Sequence, residues 1–473
     1  MIRFGTGGWR AIIGDDFIKS NIQKVAQAIC NMAKDEQKAD KPIVIGYDRR
    51  FLSRDAAKWV AEIITGNGIQ VIFMERSVPT PLTMFIVQSY QLHYGVEITA
   101  SHNPSAYNGI KLIVEEGRDA PVETTKRLEN IIDTVDNVEI TQFDKSVENG
   151  MISYLKNPFN NFIDNILKSI DKDAIKQRGM RILFDPMHGS GIYPLQVILN
   201  ETRCTVDTIN SNLDAYFGGY SPEPTENTLK TLQRCVVKGN YDLGIALDGD
   251  GDRLGIIDKN GNYIDSNSVL CILYYYLHEY KKWNGPVVRN CATTHMLDVM
   301  ADSFQEKCIE VPVGFKHISS AITKYDAVLG GESSGGLTVR GHINGKDSIY
   351  AATLLVEAIC KMNKSPTEVM EMLTKRYGSF VMVENNIKFP KDKKEYVYHA
   401  IMEEKKIPNL NKKNIEKVSY EDGCKIYFKD NSFVICRFSG TEPILRIFAE
   451  AETKEKATSY IDKFMELYEQ IIV

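Results

Sequence analysis

The stretch YDLGIALDGDGDR, residues 241–253, joins an apolar run to a cluster of carboxylates and decides the class of fold. The run up to Leu247 is short and bounded by Asp and Gly, which is typical of a buried β-strand. Asp248, Asp250 and Asp252 follow at once and alternate with glycines. Open α/β sheets bind ligands at the carboxyl ends of their strands. The stretch therefore predicts an α/β sheet with a ligand site at its edge.

The same rhythm of helix and strand recurs on both sides of this stretch. Apolar residues at helical spacing from Ile18 to Met32 precede a strand-like run from Ile43 to Tyr47, and Ser53 is predicted to cap the next helix. The runs from Met180 to Phe184 and from Pro286 to Asn290 also end at polar residues. This pattern predicts mixed or parallel sheets with helices on their faces, built from a weakly repeated α/β unit.

The last hundred residues have a different pattern. Two apolar runs, Cys424 to Phe428 and Ser432 to Cys436, flank an Asp430-Asn431 turn and predict a β-hairpin. A further strand is expected from Ile444 to Ala449, followed by an amphipathic helix that closes the chain. This part is therefore predicted to be an α+β module.

Polar stretches near residues 155, 260 and 375 are the candidate domain boundaries. They predict three α/β domains and one α+β domain, at residues 1–155, 156–260, 261–374 and 375–473. The segment from Lys405 to Lys417 is rich in Lys and Asn and is expected to be a surface loop.

Composition narrows the class of protein. Hydrophobic residues make up 43% of the 473 residues and charged residues 25%, the balance of a globular protein. A net charge of −5 without a long basic run argues against a nucleic-acid partner. Nine cysteines without a CxxC pair predict reduced thiols rather than disulfides or a zinc site.

Nothing in the sequence predicts a membrane partner. The most apolar window, Val269 to Leu277, is too short to span a bilayer and is expected to be a buried helix. No basic region followed by an apolar core occurs near Met1, so no signal peptide is expected. We expect a cytoplasmic protein.

The carboxylate cluster is a candidate metal site. Asp248, Asp250 and Asp252 would repel one another unless a cation lay between them, and carboxylate oxygens select a hard ion such as Mg²⁺. An EF-hand would need Gly and Glu where this chain has Arg253 and Lys259. Three protein ligands leave the ion open to a phosphoryl oxygen, and Arg253 could pair with the same phosphate. A surface turn rich in Asp and Gly is the alternative.

A second candidate motif is TASHNPSAYNGIK, residues 99–111. Pro104 and Gly109 prevent a regular element from continuing, so an exposed, ordered loop is expected. Ser101 beside His102 could suggest a nucleophilic serine, but adjacent side chains rarely form such a pair and no GxSxG motif is present. On its own, such a loop would more often be an ordinary turn, and it gains significance only beside the carboxylate cluster.

Together these motifs resemble those of the α-D-phosphohexomutases, the phosphoglucomutase and phosphomannomutase family. TASHNPSAYNGIK is similar to the family's phosphoserine loop and DGDGDR to its metal loop. GESSGG, residues 331–336, resembles its sugar-binding loop, and RFSGTEPILR, residues 437–446, its phosphate-binding loop. The four motifs occur in family order along the chain. The resemblance implies three similar mixed α/β domains and a C-terminal α+β domain around a central active-site cleft.

The resemblance also implies roles for individual residues. Ser101 would carry the phosphate in the resting enzyme, and its phosphate oxygen would join Asp248, Asp250 and Asp252 around Mg²⁺. A phosphoserine avoids the poor nucleophilicity of a serine hydroxyl in the first transfer. The cationic or proton-handling candidates, each of which could instead have a structural or surface role, are Arg10, His102, Lys111 and Lys346.

Two positions depart from the family pattern. The N-terminal motif GTGGWR, residues 5–10, has Gly7 where the family often has Ser or Asp. Lys346-Asp347 is similar to the family's Lys-Asp-Gly site, but Ser348 replaces the glycine. The change from glycine to Ser348 is expected to affect the local backbone geometry more than the role of Lys346.

The implied substrate is a hexose phosphate held in two orientations. Glu332 and Ser334 would bind sugar hydroxyls, and Gly314 and Lys316 lie in VGFKH, a form more typical of glucose-directed members. The distant phosphate would bind Arg437, Ser439, Gly440, Thr441 and Arg446, for which a plain hairpin turn is the alternative.

We therefore expect an intramolecular phosphotransferase of the isomerase class that interconverts glucose 1-phosphate and glucose 6-phosphate. Glucose 1,6-bisphosphate would be the intermediate and the activator, and the protein would be a monomer or homodimer. A phosphomannomutase or a dual-specificity hexose mutase is the alternative. A Mg²⁺-dependent sugar phosphatase would not need the second phosphate site, and a non-catalytic sensor would not need Ser101 and the three aspartates.

Overall fold

The computed structural model describes residues 2–5, 7–388, 393–438 and 444–472. The chain divides into two compact units. The first unit contains Met1–Val269 and Ser334–Thr367, and the second contains Leu270–Ser333 and Glu368–Val473.

The N-terminal part of the first unit is a mixed sheet covered by helices. The sheet has the order β1-β5-β4-β2-β3-β7, with β6 paired to β5. Its central pairs, β2 with β3 and β4, are parallel. The elements are β1 (Trp9–Ile12), α1 (Lys19–Asp35), β2 (Ile43–Tyr47), α2 (Ser53–Gly66), β3 (Val71–Phe73), α3 (Thr80–Ser89), β4 (Tyr94–Ile98), β5 (Tyr107–Val114), β6 (Arg118–Asp119), α4 (Val122–Thr134), α5 (Phe143–Glu148) and β7 (Ile152–Tyr154).

A second mixed sheet, β12-β11-β10-β8-β9, follows in the same unit. Strands β8 and β10 are parallel, whereas β10 and β11 form an antiparallel pair. The elements are α6 (Pro158–Ser169), α7 (Lys172–Arg178), β8 (Arg181–Asp185), α8 (Ile192–Glu201), β9 (Thr205–Thr208), α9 (Lys230–Gly239), β10 (Leu243–Leu247), β11 (Leu254–Asp258) and β12 (Tyr263–Ile264).

The next part of the chain repeats the alternation of helix and strand. In the second unit β13 pairs in parallel with both β14 and β15. The elements are α10 (Ser266–Glu279), β13 (Val287–Asn290), α11 (Met296–Ser303), β14 (Cys308–Val311), α12 (Phe315–Tyr325), β15 (Leu329–Gly331), β16 (Leu337–Val339), α13 (Ser348–Met362) and α14 (Pro366–Tyr377).

The C-terminal part of the second unit is an antiparallel sheet of order β17-β21-β20-β19-β18. The predicted hairpin is confirmed, since β19 and β20 pair around Asp430-Asn431. The elements are β17 (Val381–Lys388), α15 (Lys394–Tyr398), β18 (Ile415–Ser419), β19 (Cys424–Phe428), β20 (Phe433–Phe438), β21 (Ile444–Ala451) and α16 (Lys454–Ile472).

Burial explains why these segments form the elements that they do. All five residues of β2 and all five of β10 are buried, because helices pack on the faces of these sheets. In α1 the apolar residues at helical spacing form one buried face, which includes Ile22, Val25 and Ile29. The expected fold class, α/β segments followed by an α+β segment, is confirmed.

One local prediction was wrong and another was correct only in part. Ser53 is the first residue of α2 rather than its cap, and its hydroxyl donates to Asp48 Oδ1 at 2.7 Å. The expected surface loop from Lys405 to Lys417 is confirmed for residues 405–411, which form no helix or strand. A 3₁₀ turn and then β18 follow, because Ile415 pairs with Phe428 of β19.

The apolar window predicted as a buried helix is part of α10, and Val269 and Leu277 are buried there. Among the helices of the described chain, none is long and apolar enough to cross a membrane.

Candidate active site

Two loops of the first unit meet at the carboxyl ends of their strands. Ser101 lies in the loop after β4, and the three aspartates lie in the loop after β10. Ser101 Oγ lies 2.8 Å from Asp248 Oδ2, as a hydrogen-bond donor. The structure therefore brings together the two motifs that the sequence singled out.

The loop after β10 turns its three carboxylates into one buried cluster. Asp248, Asp250 and Asp252 are fully buried, and each offers an oxygen within 4.8 Å of the others. Asp248 Oδ1 accepts from the backbone N–H groups of Asp252 and Arg253 at 2.9 and 3.0 Å, which closes the loop. Gly251 has a φ of +73°, a conformation that glycine adopts without a steric cost.

Two lysines neutralise one side of this cluster. Lys111 Nζ lies 2.6 Å from Asp250 Oδ2 and 2.7 Å from Asp252 Oδ2. Lys346 Nζ lies 2.9 Å from Asp252 Oδ2. Burial alone would lower the pKa of Lys111, but Asp250 and Asp252 raise it, so this lysine keeps its charge.

The other side of the cluster has two carboxylate oxygens that accept no hydrogen bond within the described part of the chain. These oxygens, Asp250 Oδ1 and Asp252 Oδ1, are buried. Buried carboxylate oxygens are costly unless they are hydrogen-bonded or bind a metal ion. These oxygens and Asp248 suit a hard divalent cation such as Mg²⁺, so the residues fit the expected metal.

The prediction of an exposed loop holds only in part, because Pro104 and Ala106 are exposed whereas Ser101 is buried. Ser101 is fully buried and has a φ of +53°, in the left-handed region. Pro104 does interrupt regular structure, but Gly109 lies within β5, where it pairs with Arg10 of β1, so the expectation that it ends a regular element was wrong. The backbone carbonyls of Ser101 and Asn103 accept hydrogen bonds from Arg50, which satisfies these two acceptors at the buried end of the loop.

Two further candidates of the first unit lie beside Ser101. His102 Nδ1 lies 3.3 Å from Ser101 Oγ, and burial, followed by the charges of Arg253 and Arg10, holds the pKa of His102 well below its usual range. The imidazole is therefore neutral. Arg10 Nη1 donates to Asn103 Oδ1 at 2.6 Å, which places its guanidinium beside the same loop.

Arg253 and Ser334 complete the candidates of the first unit. Arg253 Nη1 donates to Glu223 Oε1 at 3.0 Å, so part of its guanidinium is already paired. Ser334 is exposed.

The remaining candidates lie in the second unit. Glu332 Oε1 accepts from the backbone N–H of Gly314 and from Asn290 Nδ2, each at 3.1 Å. This carboxylate therefore ties the VGFKH loop to the end of β15. Lys316 lies in the first turn of α12.

The two candidate arginines of the C-terminal sheet are direct partners in the β20–β21 register. Arg437 Nη2 lies 2.9 Å from Asp422 Oδ1 and 2.8 Å from Asp422 Oδ2, so its charge is paired. Arg446 is exposed. Ser439, Gly440 and Thr441 lie outside the described residues.

Several residues that build these sites were missed by the sequence analysis. Thr80 Oγ1 donates to Asp250 Oδ2 at 2.6 Å, and Asp48, Arg50 and Thr99 hold the Ser101 loop. A usable signal was present for two of them, since Asp48 and Arg50 are charged residues directly after β2. Strand β2 is parallel to β4, so their carboxyl ends share one edge of the sheet.

Comparison with known proteins gives the same assignment along the whole chain. The family models described as phosphoglucomutase/phosphomannomutase alpha/beta/alpha domains I, II and III match residues 1–139, 160–261 and 265–377. The model described as the C-terminal domain of phosphoglucomutase/phosphomannomutase matches residues 384–467.

Similar proteins match over almost their full length. A phosphoglucomutase/phosphomannomutase of Thermococcus kodakarensis is 29% identical, over 99% of each chain. A probable phosphoglucosamine mutase of Pyrococcus abyssi is 31% identical over 99% of this chain and 98% of its own. The crystal structure of a candidate phosphomannomutase from Thermus thermophilus superimposes with a TM-score of 0.85 at 25% identity, over 99% of each chain. These matches show that the chain belongs to the phosphoglucomutase/phosphomannomutase family of phosphohexomutases.

Proposed function

We propose that this phosphohexomutase interconverts glucose 1-phosphate and glucose 6-phosphate by way of phospho-Ser101. The observation that carries the proposal is the 2.8 Å contact between Ser101 Oγ and Asp248 Oδ2, inside a buried carboxylate cluster flanked by two lysines. A phosphoryl group on Ser101 Oγ would lie against that cluster. Glucose 1,6-bisphosphate is the proposed intermediate and activator.

Each candidate residue of the first unit has a proposed task. Asp248, Asp250 and Asp252 would hold Mg²⁺, which when bound would polarise the phosphoryl group. Lys111 and Lys346 offset the negative charge of the carboxylates and keep them in place. His102 is neutral and 3.3 Å from Ser101 Oγ, so it can exchange a proton with that oxygen.

Arg10 and Arg253 are proposed to bind the transferred phosphate. Both carry guanidinium groups, which recognise phosphate through paired N–H donors. Arg10 lies beside the Ser101 loop, through its contact with Asn103, and Arg253 follows the last of the three aspartates.

In the second unit we propose a sugar contact and a distant phosphate contact. Both of these hydrogen bonds to Glu332 use Oε1, which suits Oε2 to accept from sugar hydroxyls. Gly314 and Lys316, together with Ser334 of the first unit, are proposed as further sugar or phosphate contacts. Arg446 is proposed as the main anchor of the second phosphate, because Arg437 is already paired with Asp422.

Two other hexoses compete with glucose. Glucose is favoured by the Gly314-Phe315-Lys316 motif of the VGFKH loop. Glucosamine is favoured by several relatives that are named phosphoglucosamine mutases, including one from Finegoldia magna that is 28% identical over 97% of this chain. Mannose is favoured by the Thermococcus relative with the double name.

The test compares the three 1-phosphates side by side, with Mg²⁺ and with or without the matching 1,6-bisphosphate. We expect the highest kcat/KM with glucose 1-phosphate, stimulation by bisphosphate and a phosphorylated Ser101 by mass spectrometry. A higher kcat/KM with glucosamine 1-phosphate or mannose 1-phosphate would transfer the specificity to that sugar. Stoichiometric release of inorganic phosphate, without isomerised product, would show a phosphatase instead.

A further inference from the structure

One buried guanidinium organises the backbone around Ser101. Arg50 Nη2 donates to the carbonyl oxygens of Ser101 and Asn103, each at 2.5 Å. Arg50 Nη1 donates to the carbonyl oxygens of Pro104 and Tyr107 at 2.9 and 3.0 Å. Four carbonyls of one short loop thus converge on one side chain. Charge-assisted bonds of this kind are stronger than those between neutral groups.

Asp48 connects this guanidinium to the other side of the same serine. Its carboxylate lies 3.3 Å from Arg50 Nε and accepts from Thr99 Oγ1 at 2.7 Å. Thr99 Oγ1 in turn accepts from the backbone N–H of Ser101 at 2.8 Å. The N–H and the C=O of Ser101 are therefore both fixed, one through Thr99 and one by Arg50.

The conformation that these bonds hold is one that a serine rarely adopts. Ser101 has a φ of +53°, and a non-glycine residue in the left-handed region persists only where its surroundings over-determine it. The fit to the metal loop is close, since a Cβ placed on Gly249 would lie 2.7 Å from the carbonyl oxygen of Ser101. A small displacement of the serine would therefore collide with the loop that carries the carboxylates.

Arg50 is not itself placed to bind a substrate. Its side chain is fully buried, and both terminal nitrogens are occupied by loop carbonyls. Its guanidinium also lies 4.8 Å from the centre of the Phe217 ring, which covers one face. Arg50 can act on the reaction only through the loop that it holds.

We infer that Arg50, supported by Asp48, is a positioning residue that aims Ser101 Oγ at the carboxylate cluster and so sets the rate of phosphoryl transfer. This inference rests on the proposed role of Ser101 as the phosphate carrier. A misplacement of about 1 Å in reacting groups can reduce a rate by roughly 100-fold. Removal of the Arg50 guanidinium should therefore lower kcat rather than weaken the binding of the hexose phosphate.

The test uses the full chain with Mg²⁺, glucose 1-phosphate and glucose 1,6-bisphosphate. Arg50→Lys keeps the charge but cannot reach four carbonyls. Its matched control is Arg49→Lys, the same change one residue earlier, where the guanidinium donates instead to the carbonyls of Ser211 and His188. We expect kcat of Arg50→Lys to fall by about 100-fold with KM within about threefold of wild type. Arg49→Lys should keep the wild-type kcat.

Two more measurements separate positioning from loss of folding. Guanidinium ion at millimolar concentration should partly restore kcat of Arg50→Ala, because it can occupy the space that the deleted Arg50 side chain leaves. An unfolded protein would not respond. Thr99→Val removes the hydroxyl between Asp48 and Ser101 and should also lower kcat with little change in KM. A wild-type kcat in folded Arg50→Lys, a rise in KM alone, or an equal loss in Arg49→Lys would each overturn the inference.

Ser101→Ala distinguishes the failure of this inference from the failure of the proposed function. Full activity of Ser101→Ala would remove the serine from the mechanism, and the positioning role with it. An inactive Ser101→Ala beside a fully active, folded Arg50→Lys would overturn the positioning role alone.

Discussion

The hydroxyl of Ser101 donates a hydrogen bond of 2.8 Å to Asp248, a residue 147 positions further along the chain. Both are fully buried. Burial, followed by the charges of Asp250 and Asp252, raises the pKa of Asp248 well above its usual range. Ser101 thus contacts the carboxylate of the cluster whose ionised form is the least favourable, and a bound cation would stabilise that ionised form.

Replacement of Ser101 by Ala should abolish mutase activity, because no oxygen remains to carry the phosphoryl group between the two ends of the hexose. The measurement is turnover of glucose 1-phosphate in the presence of bisphosphate, with circular dichroism to verify the fold. Ser105→Ala makes the same chemical change in the same loop and should stay active. Turnover by Ser101→Ala within tenfold of wild type would remove the serine from the mechanism.

Asp250→Asn should weaken the binding of Mg²⁺, because one of three ligand charges is lost while the side-chain shape is kept. Calorimetric titration of the purified protein measures this independently of activity, and we expect at least a tenfold higher Kd, about 1.4 kcal/mol. Asp207→Asn, at an exposed carboxylate on β9, should leave the Kd unchanged. An unchanged Kd in Asp250→Asn would show that the cation binds elsewhere.

The sequence alone was sufficient to predict those parts of the candidate site whose residues lie close together in the chain. Asp248, Asp250 and Asp252 occur within five residues after an apolar run, so their convergence could be predicted from strand geometry. The Ser101 loop was ambiguous by itself and gained its role only from the resemblance. The burial of Ser101 itself was mispredicted, because it depends on contacts with distant residues such as Arg50, which lies 51 positions away.

Contacts between distant elements could not be derived from spacing. Lys111 and Lys346 approach the same carboxylate from β5 and from the loop before α13, and no local pattern links them. Asn290 reaches Glu332 across 42 positions of chain. Such pairs are set by tertiary packing of the sheets, which a single sequence does not reveal.

Arg446→Ala should raise KM for the hexose phosphate far more than it lowers kcat. A hydrogen bond to a charged group contributes about 1.5–3 kcal/mol, or roughly ten- to a hundred-fold in affinity. Arg446→Lys should recover only part of the loss, because an ammonium group lacks the fork of two donors. Arg376→Ala, at a half-exposed arginine of α14, is the control. Unchanged binding of glucose 1-phosphate to Arg446→Ala by calorimetry would contradict the anchor role.

The last prediction concerns Glu450, a fully buried carboxyl group on β21. Burial raises its pKa from 4.5 to about 7, against the opposing effect of hydrogen bonds from Thr294 and from the backbone N–H of His295. Arg289 and Lys425 also face it and lower the pKa. The folded state therefore holds this proton more tightly than the unfolded chain does.

The sign of the effect on stability follows from this difference in proton binding. Below pH 4.5 both states are protonated, and between about pH 4.5 and 7 the unfolded state loses its proton first, so stability falls as the pH rises. The loss above pH 7 is roughly 3 kcal/mol. Glu450→Gln stays neutral and keeps a carbonyl oxygen for His295, so it should match wild type at pH 4.5 and exceed it at pH 8. Urea unfolding followed by circular dichroism measures the difference, with the exposed Glu452→Gln as control. A difference between Glu450→Gln and wild type that does not change from pH 4.5 to pH 8 would show that Glu450 is already ionised in the folded protein.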